Sequence, residues 1–190
     1  MDKESTSAGE SPAHPFSRLD PSRVLDAVDS VGLFGDGRLL ALNSYENRVY
    51  QVGRDQQEPV VVKFYRPDRW SDDAILEDHA FVAELVEHEI PVVPAMTING
   101  RTLHEFEGFR FAVFPRRGGR APELDNPDTL EWMGRFIGRI HAVGAIKPYA
   151  LRPELNPQTF GREPFDFLLR PDFMPLELRA QVVRGYFGQD

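Results

Sequence analysis

ALNSYENRVYQVGRDQQEPVVVKFYRP, residues 41–67, reads as two strands with a polar connection. Asn47 to Val52 form the first, with Val49 and Tyr50 on opposite faces; Gly53 to Gln57 make the tip, and Val60 to Tyr65 return. The returning strand carries one lysine, Lys63, in an apolar run. A lysine flanked by strand formers is held in place, and burying its stem costs less when the ammonium has an anionic partner. Just upstream, Leu42-Asn43-Ser44-Tyr45-Glu46-Asn47 puts small polar groups at a strand end, where a chain bends readily over an anion. An ordinary hairpin with an edge lysine accounts for these residues equally well.

Working outward, Leu39, Leu40 and Leu42 open an earlier strand. Before it, Asp20 caps and Pro21 begins a helix whose apolar face is Val24, Leu25, Val28 and Val31, with Gly32 as its stop. Residues 1–19, rich in Ser, Glu, Pro and Gly, offer almost nothing to bury and are expected to form a disordered leader. After Pro67, Ser71 with Asp72 and Asp73 caps a helix running to about Glu89, with Ile75, Leu76, Phe81, Val82, Leu85 and Val86 as its stripe. Pro91 and Pro94 bracket an extended linker. Met96 to Ile98 and Thr102 to Phe106 flank an Asn99-Gly100 turn and read as a hairpin, and Glu107-Gly108 turns the chain into Phe109 to Phe114. Residues 20–115 are therefore expected to form an α+β unit: a five-stranded antiparallel sheet with one backing helix.

Beyond Pro115 the pattern changes. Gly118-Gly119 makes a joint, and Asn126-Pro127 starts a helix with Leu130, Met133, Ile137 and Ile140 on its inner face. Gly134, Gly138 and Ala142 add a small-residue stripe suited to close helix packing. From Lys147 the chain is interrupted by prolines, with short helices expected near Asp166–Arg170 and over Leu176–Phe187. Residues 116–190 thus read as a joint and a second, helical region.

The formal net charge of −8 argues against a nucleic-acid partner, and Arg116, Arg117 and Arg120 form a local patch rather than a basic face. Without cysteine there is no disulfide and no thiolate metal site. His79, His88, His104 and His141 lack metal-ligand spacing, so no metal site is expected. No apolar run approaches the roughly 18 residues of a membrane helix. A cytoplasmic protein that does not enter membranes is expected.

Asn43-Ser-Tyr-Glu-Asn-Arg-Val-Tyr-Gln51, Val61-Val-Lys-Phe-Tyr-Arg-Pro67 with Arg69-Trp70, and Ile75-Leu-Glu-Asp-His79 resemble the bacterial stress response kinase A family. Phe111-Ala-Val-Phe-Pro115 with Gly118-Gly119, and Gly138-Arg-Ile-His141, extend the resemblance over about residues 18–145. Members are serine/threonine protein kinases with the fold of aminoglycoside and choline kinases. The resemblance implies a kinase-like ATP-binding lobe followed by the first helices of an incomplete second lobe, with Mg²⁺ as the accompanying ion and a protein Ser/Thr hydroxyl as acceptor. It places Ser44 and Asn43 in the phosphate-covering loop and Lys63 on the nucleotide phosphates. The acid paired with Lys63 is Asp78 or Glu77; Asp78 shares a helical face with Phe81, Val82 and Leu85, whereas Glu77 is one methylene longer. The Phe114 carbonyl and the Arg116 N–H would hold adenine, between walls of Val49, Val61 and Val113.

The family's catalytic aspartate loop and metal-binding aspartate have no counterpart. Asp166-Phe167 and Asp172-Phe173 are not followed by glycine. No catalytic residue is therefore expected in this chain, which reads as the ATP-binding portion of a longer kinase, inactive alone and prone to self-association through apolar helix faces near Ile137 and Phe187. Two other readings stay open: a small-molecule kinase for an aminoglycoside, choline or homoserine, and a non-catalytic module that binds nucleotide or a partner.

Overall fold

Buried residues in β3 (Gln57–Phe64) recur at every second position from Val60, and that alternation fixes the two faces of the sheet. Val60, Val62 and Phe64 are buried on one face, while Val61 and Lys63 lie half-buried on the other. The computed structural model describes residues 14–170 and 172–187, without the side chains of 186 and 187. β1 (Gly35–Leu42), β2 (Arg48–Arg54), β3, β4 (His104–Phe106) and β5 (Phe109–Pro115) form one five-stranded antiparallel sheet in the order β1-β2-β3-β5-β4. Lys63 stands opposite Val49 on β2 and Ala112 on β5; its neighbour Val62 stands opposite Tyr50 and Val113.

Helices lie on both faces, the expected backing helix on one and the helix that precedes the sheet on the other. α1 (Pro21–Ser30) lays Val24, Ala27 and Val28 on the face made by Val52, Val60, Val62, Phe64, Phe111 and Val113. Asp20 caps it by accepting from the Arg23 N–H, and the Arg23 guanidinium reaches the Glu107 carboxylate at 2.8 Å, tying α1 to the β4–β5 turn. α2 (Asp72–Glu87) puts Ile75 on the other face, against Tyr65 and Ala112. Leu76 and Val86, placed on its inner stripe by sequence, turn outward instead.

The Ser71 hydroxyl caps α2 by accepting the Ala74 N–H at 3.2 Å, and Asp72 and Asp73 favour the positive end of the helix. Ser71→Ala should lower stability by about 1 kcal/mol. A urea midpoint that does not move, at unchanged slope, would contradict this.

The packed chain begins before residue 20. Residues 14–19, expected to belong to the leader, place Phe16 and Leu19 in the core beside α1, with Phe16 stacked on Phe109 at 6.3 Å. Residues 1–13 of the expected leader lie outside the described residues. The expected hairpin around Asn99-Gly100 reduces to a single bridge between Ile98 and Arg101, because the Met96 N–H donates to the Val113 carbonyl at 2.7 Å instead.

The chain divides into compact units at Met1–Tyr149 and Ala150–Asp190. The first unit includes α3 (Pro127–Gly144), which packs Phe136, Ile140 and Val143 against Phe81, Leu85 and Ile90 at the end of α2. Of the expected inner face only Ile140 joins that cluster; Leu130 and Ile137 are about half exposed. Gly134 and Gly138 meet no neighbour, so the small-residue stripe supports no close packing there. At Gly144 a Cβ would come within 3.4 Å of the Phe81 ring. The second unit holds a π-helical turn (Gln158–Arg162), α4 (Glu163–Leu168) with Phe165 buried, and α5 (Leu176–Phe187). No helix among the described residues is long and apolar enough to cross a membrane.

Candidate functional site

The face of β3 that carries Lys63 is the candidate site. Alternation gives that face Val61 and Lys63 from β3, Val49 from β2, and Ala112 and Phe114 from β5. Val113 was expected to wall a purine there. It instead points to the opposite face and is fully buried in the α1 core, and on the Lys63 face Ala112 is fully buried with Ile75 and Tyr65 while Phe114 stays half-buried.

The ladder also fixes the direction of the Phe114 carbonyl. The Tyr65 N–H donates to the Arg110 carbonyl and the Met96 N–H to the Val113 carbonyl, so even-numbered carbonyls of β5 turn toward β3 and odd-numbered ones away. The Phe114 carbonyl, opposite Val61, is therefore turned into the ladder. The Pro115 carbonyl turns outward. Arg116, at the first position past β5, is exposed.

The Lys63 Nζ lies 4.7 Å from the centre of the Tyr65 ring. Tyr65 is buried, and its hydroxyl lies 2.7 Å from His79 Nε2. His79 Nδ1 lies 2.9 Å from the Thr102 hydroxyl, and the His79 ring meets Phe114 edge-on at 6.4 Å. Burial, and then the charge of Lys63, hold the His79 imidazole below its usual pKa. Burial, and then Arg101, do the same to His104.

Both histidines thus stay neutral in the folded chain when the unfolded chain is already protonating them. Below about pH 6.5 the unfolded chain binds more protons, so stability should fall on acidification and level off above about pH 7.5. Melting temperatures at pH 5.5 and 7.5 check this, and His79→Gln should flatten the difference.

α2 separates the two candidate acids. Ile75 and His79 sit one turn apart on the flank facing the sheet, and half-buried Asp78, three residues after Ile75, lies on that flank. Glu77 lines a cavity of about 370 Å³ with Phe81, Lys147 and Tyr149, and its charge adds to burial in raising the Tyr149 pKa.

Sequence reasoning assigned Ser44 and Asn43 to the loop between β1 and β2 but passed over what fastens that loop. The Glu46 carboxylate accepts the Trp70 indole N–H at 3.2 Å and pairs with Arg69 at 3.2 Å. The Asn47 side-chain carbonyl accepts the Arg66 N–H at 3.2 Å. Arg69 in turn lies over the Trp70 ring. Ser44, half-buried, and Asn43, exposed, occupy the bend that these bonds hold. The signal was the Arg69-Trp70 pair, a cation and an indole donor awaiting a carboxylate. Among the described residues no cluster of three or more His, Asp or Glu side chains could hold a metal ion.

A profile of the phosphotransferase enzyme family (APH) matches residues 38–181. The chain is 44% identical over 152 residues to the serine/threonine protein kinase RdoA of Salmonella typhimurium (strain LT2), covering 80% of this chain and 46% of that protein. It is 41% identical over 173 residues to stress response kinase A of Escherichia coli (strain K12), covering 91% and 53% respectively. The chain therefore spans about half the length of the curated relatives it matches. Solved structures that share its fold include two antibiotic kinases. The amicoumacin kinase hAmiN in complex with AMP-PNP, Ca²⁺ and Ami has a TM-score of 0.58 at 18% identity, over 86% of this chain and 53% of that one. Spectinomycin phosphotransferase APH(9)-Ia with ADP and spectinomycin has a TM-score of 0.57 at 11% identity, over 81% and 47%.

Proposed function

The chain belongs to the APH phosphotransferase enzyme family, and on that premise we propose that it is the ATP-binding part of a serine/threonine protein kinase of the bacterial stress-response type. The observation that carries this reading is Lys63. A half-buried lysine on the inner face of the sheet stands beside α2, below a polar bend that Glu46 and Asn47 hold in place. In this reading Lys63 meets the phosphates, Asp78 balances its charge, and Ser44 and Asn43 donate from the loop. Val49, Val61 and Phe114, each half-buried on that face, enclose the purine. The adenine pair moves one residue along the chain, to the Pro115 carbonyl and the Arg117 N–H.

Identities of 41–44% to kinases named for stress response or for serine/threonine specificity favour a protein substrate with a Ser or Thr hydroxyl in the cytoplasm. Mg²⁺ would accompany ATP, offsetting phosphate charge when bound. The α3 surface, where Leu130, Trp132 and Ile137 are exposed, supports self-association, which sedimentation over a concentration series checks.

The test of the nucleotide reading is thermal unfolding with and without Mg·ATP. At 100 times its dissociation constant the nucleotide should add ~2.7 kcal/mol of stability. An unchanged transition across the millimolar range would overturn the reading.

A further inference from the structure

Lys63 rests on a polar chain that the nucleotide reading does not use. Tyr65 follows it by two residues and so shares its face, and the Lys63 Nζ lies 4.7 Å from the Tyr65 ring centre, within the roughly 6 Å over which a ring face attracts an ammonium. Tyr65 is held at two points, the second of which is itself anchored. Its backbone N–H donates to the Arg110 carbonyl at 2.9 Å, its hydroxyl meets His79 of α2 at 2.7 Å, and His79 meets Thr102, just before β4, at 2.9 Å.

We propose that Tyr65 is the positioning residue for Lys63, with His79 and Thr102 aiming the ring on which the ammonium lies. This rests on the nucleotide reading above. A lysine stem has four rotatable bonds and ends in a point charge, so its value to a phosphate depends on the ammonium being placed before the anion arrives. The buried ring supplies that placement where little water competes. A neutral imidazole offers one donor and one acceptor, enough for both neighbours. With the proton on Nδ1, His79 donates to Thr102 and accepts the tyrosine O–H, and a phenol that donates gains electron density over its ring. Burial, and then the charge of Lys63, favour that neutral imidazole. A phenylalanine would serve as the ring but could not be aimed, which accounts for the hydroxyl. Through the same chain, a shift of α2 would reach Lys63 by way of the ring.

The test measures binding of Mg·ATP and of adenosine, which has no phosphates, by calorimetry on the whole 190-residue chain. Tyr65→Leu should weaken Mg·ATP about tenfold or more while adenosine changes less than about twofold. Tyr65→Phe, which keeps the ring but not the hydroxyl that aims it, should recover only part of the loss, and a thermal transition for each variant establishes that it is folded. The Lys63 ε-methylene protons should show an upfield ring-current shift in the unmodified chain, a smaller one in Tyr65→Phe, and none in Tyr65→Leu. Equal losses of Mg·ATP and adenosine, or Mg·ATP affinity in Tyr65→Leu within about twofold of the unmodified chain, would overturn the proposal alone. Failure of the unmodified chain to bind Mg·ATP would overturn the nucleotide reading, and this inference with it.

Discussion

Phe111→Ala is expected to destabilise the fold by about 3–5 kcal/mol, the largest loss anticipated from any single change here. Phe111 is fully buried on β5, opposite Phe64 on β3 and His104 on β4. Its ring centre lies 5.5 Å from that of Phe64 and 5.5 Å from that of His104. Truncation removes a ring from the middle of the sheet and leaves a void that β-strands, fixed by their ladders, cannot collapse to fill. For a chain of this size the melting temperature should drop by about 6–20 °C. Urea unfolding checks the figure; a loss below about 1 kcal/mol at unchanged slope would mean that this core is not closely packed.

Lys63→Met should leave the chain folded and abolish most of the stabilisation by Mg·ATP. Methionine keeps an unbranched stem of similar reach on the same face but removes the ammonium. A charge-assisted contact is worth about 1.5–3 kcal/mol, so the dissociation constant should rise at least tenfold. At a concentration that gives the unmodified chain ~2.7 kcal/mol, the variant should gain no more than ~1.4 kcal/mol. Equal thermal shifts in the two proteins would remove Lys63 from the phosphate site. A variant that no longer folds would instead point to a structural use of the cation, and Lys63→Arg would then separate charge from shape.

Lys63 stood out in sequence because it is the single charge in the run Val60 to Tyr65, and it marks the less buried face of β3. No clean alternation exists in Phe109-Arg-Phe-Ala-Val-Phe114, where nearly every position is apolar. The face of Val113 and the direction of the Phe114 carbonyl had to wait for the ladder with β3. On α3, apolar residues at 130, 133, 136, 137, 140 and 143 offer overlapping stripes. The one that packs is decided by the end of α2, which sequence periodicity does not contain. Phe16 and Leu19 were missed for the reverse reason: an isolated pair in a polar stretch has no period, yet suffices to cover the sheet next to α1. The bonds from Glu46 and Asn47 span 19–24 residues and leave no local pattern.

Those loop bonds bear on how an anion would be received. Freezing a backbone residue costs roughly 1–2 kcal/mol of entropy, and residues 43–47 have met much of that cost during folding. An arriving anion would find a preorganised rim and forfeit little affinity to ordering it. The same bonds tie the β1–β2 loop to residues 66–70 after β3, so lifting Ser44 away would either break them or draw Trp70 with it.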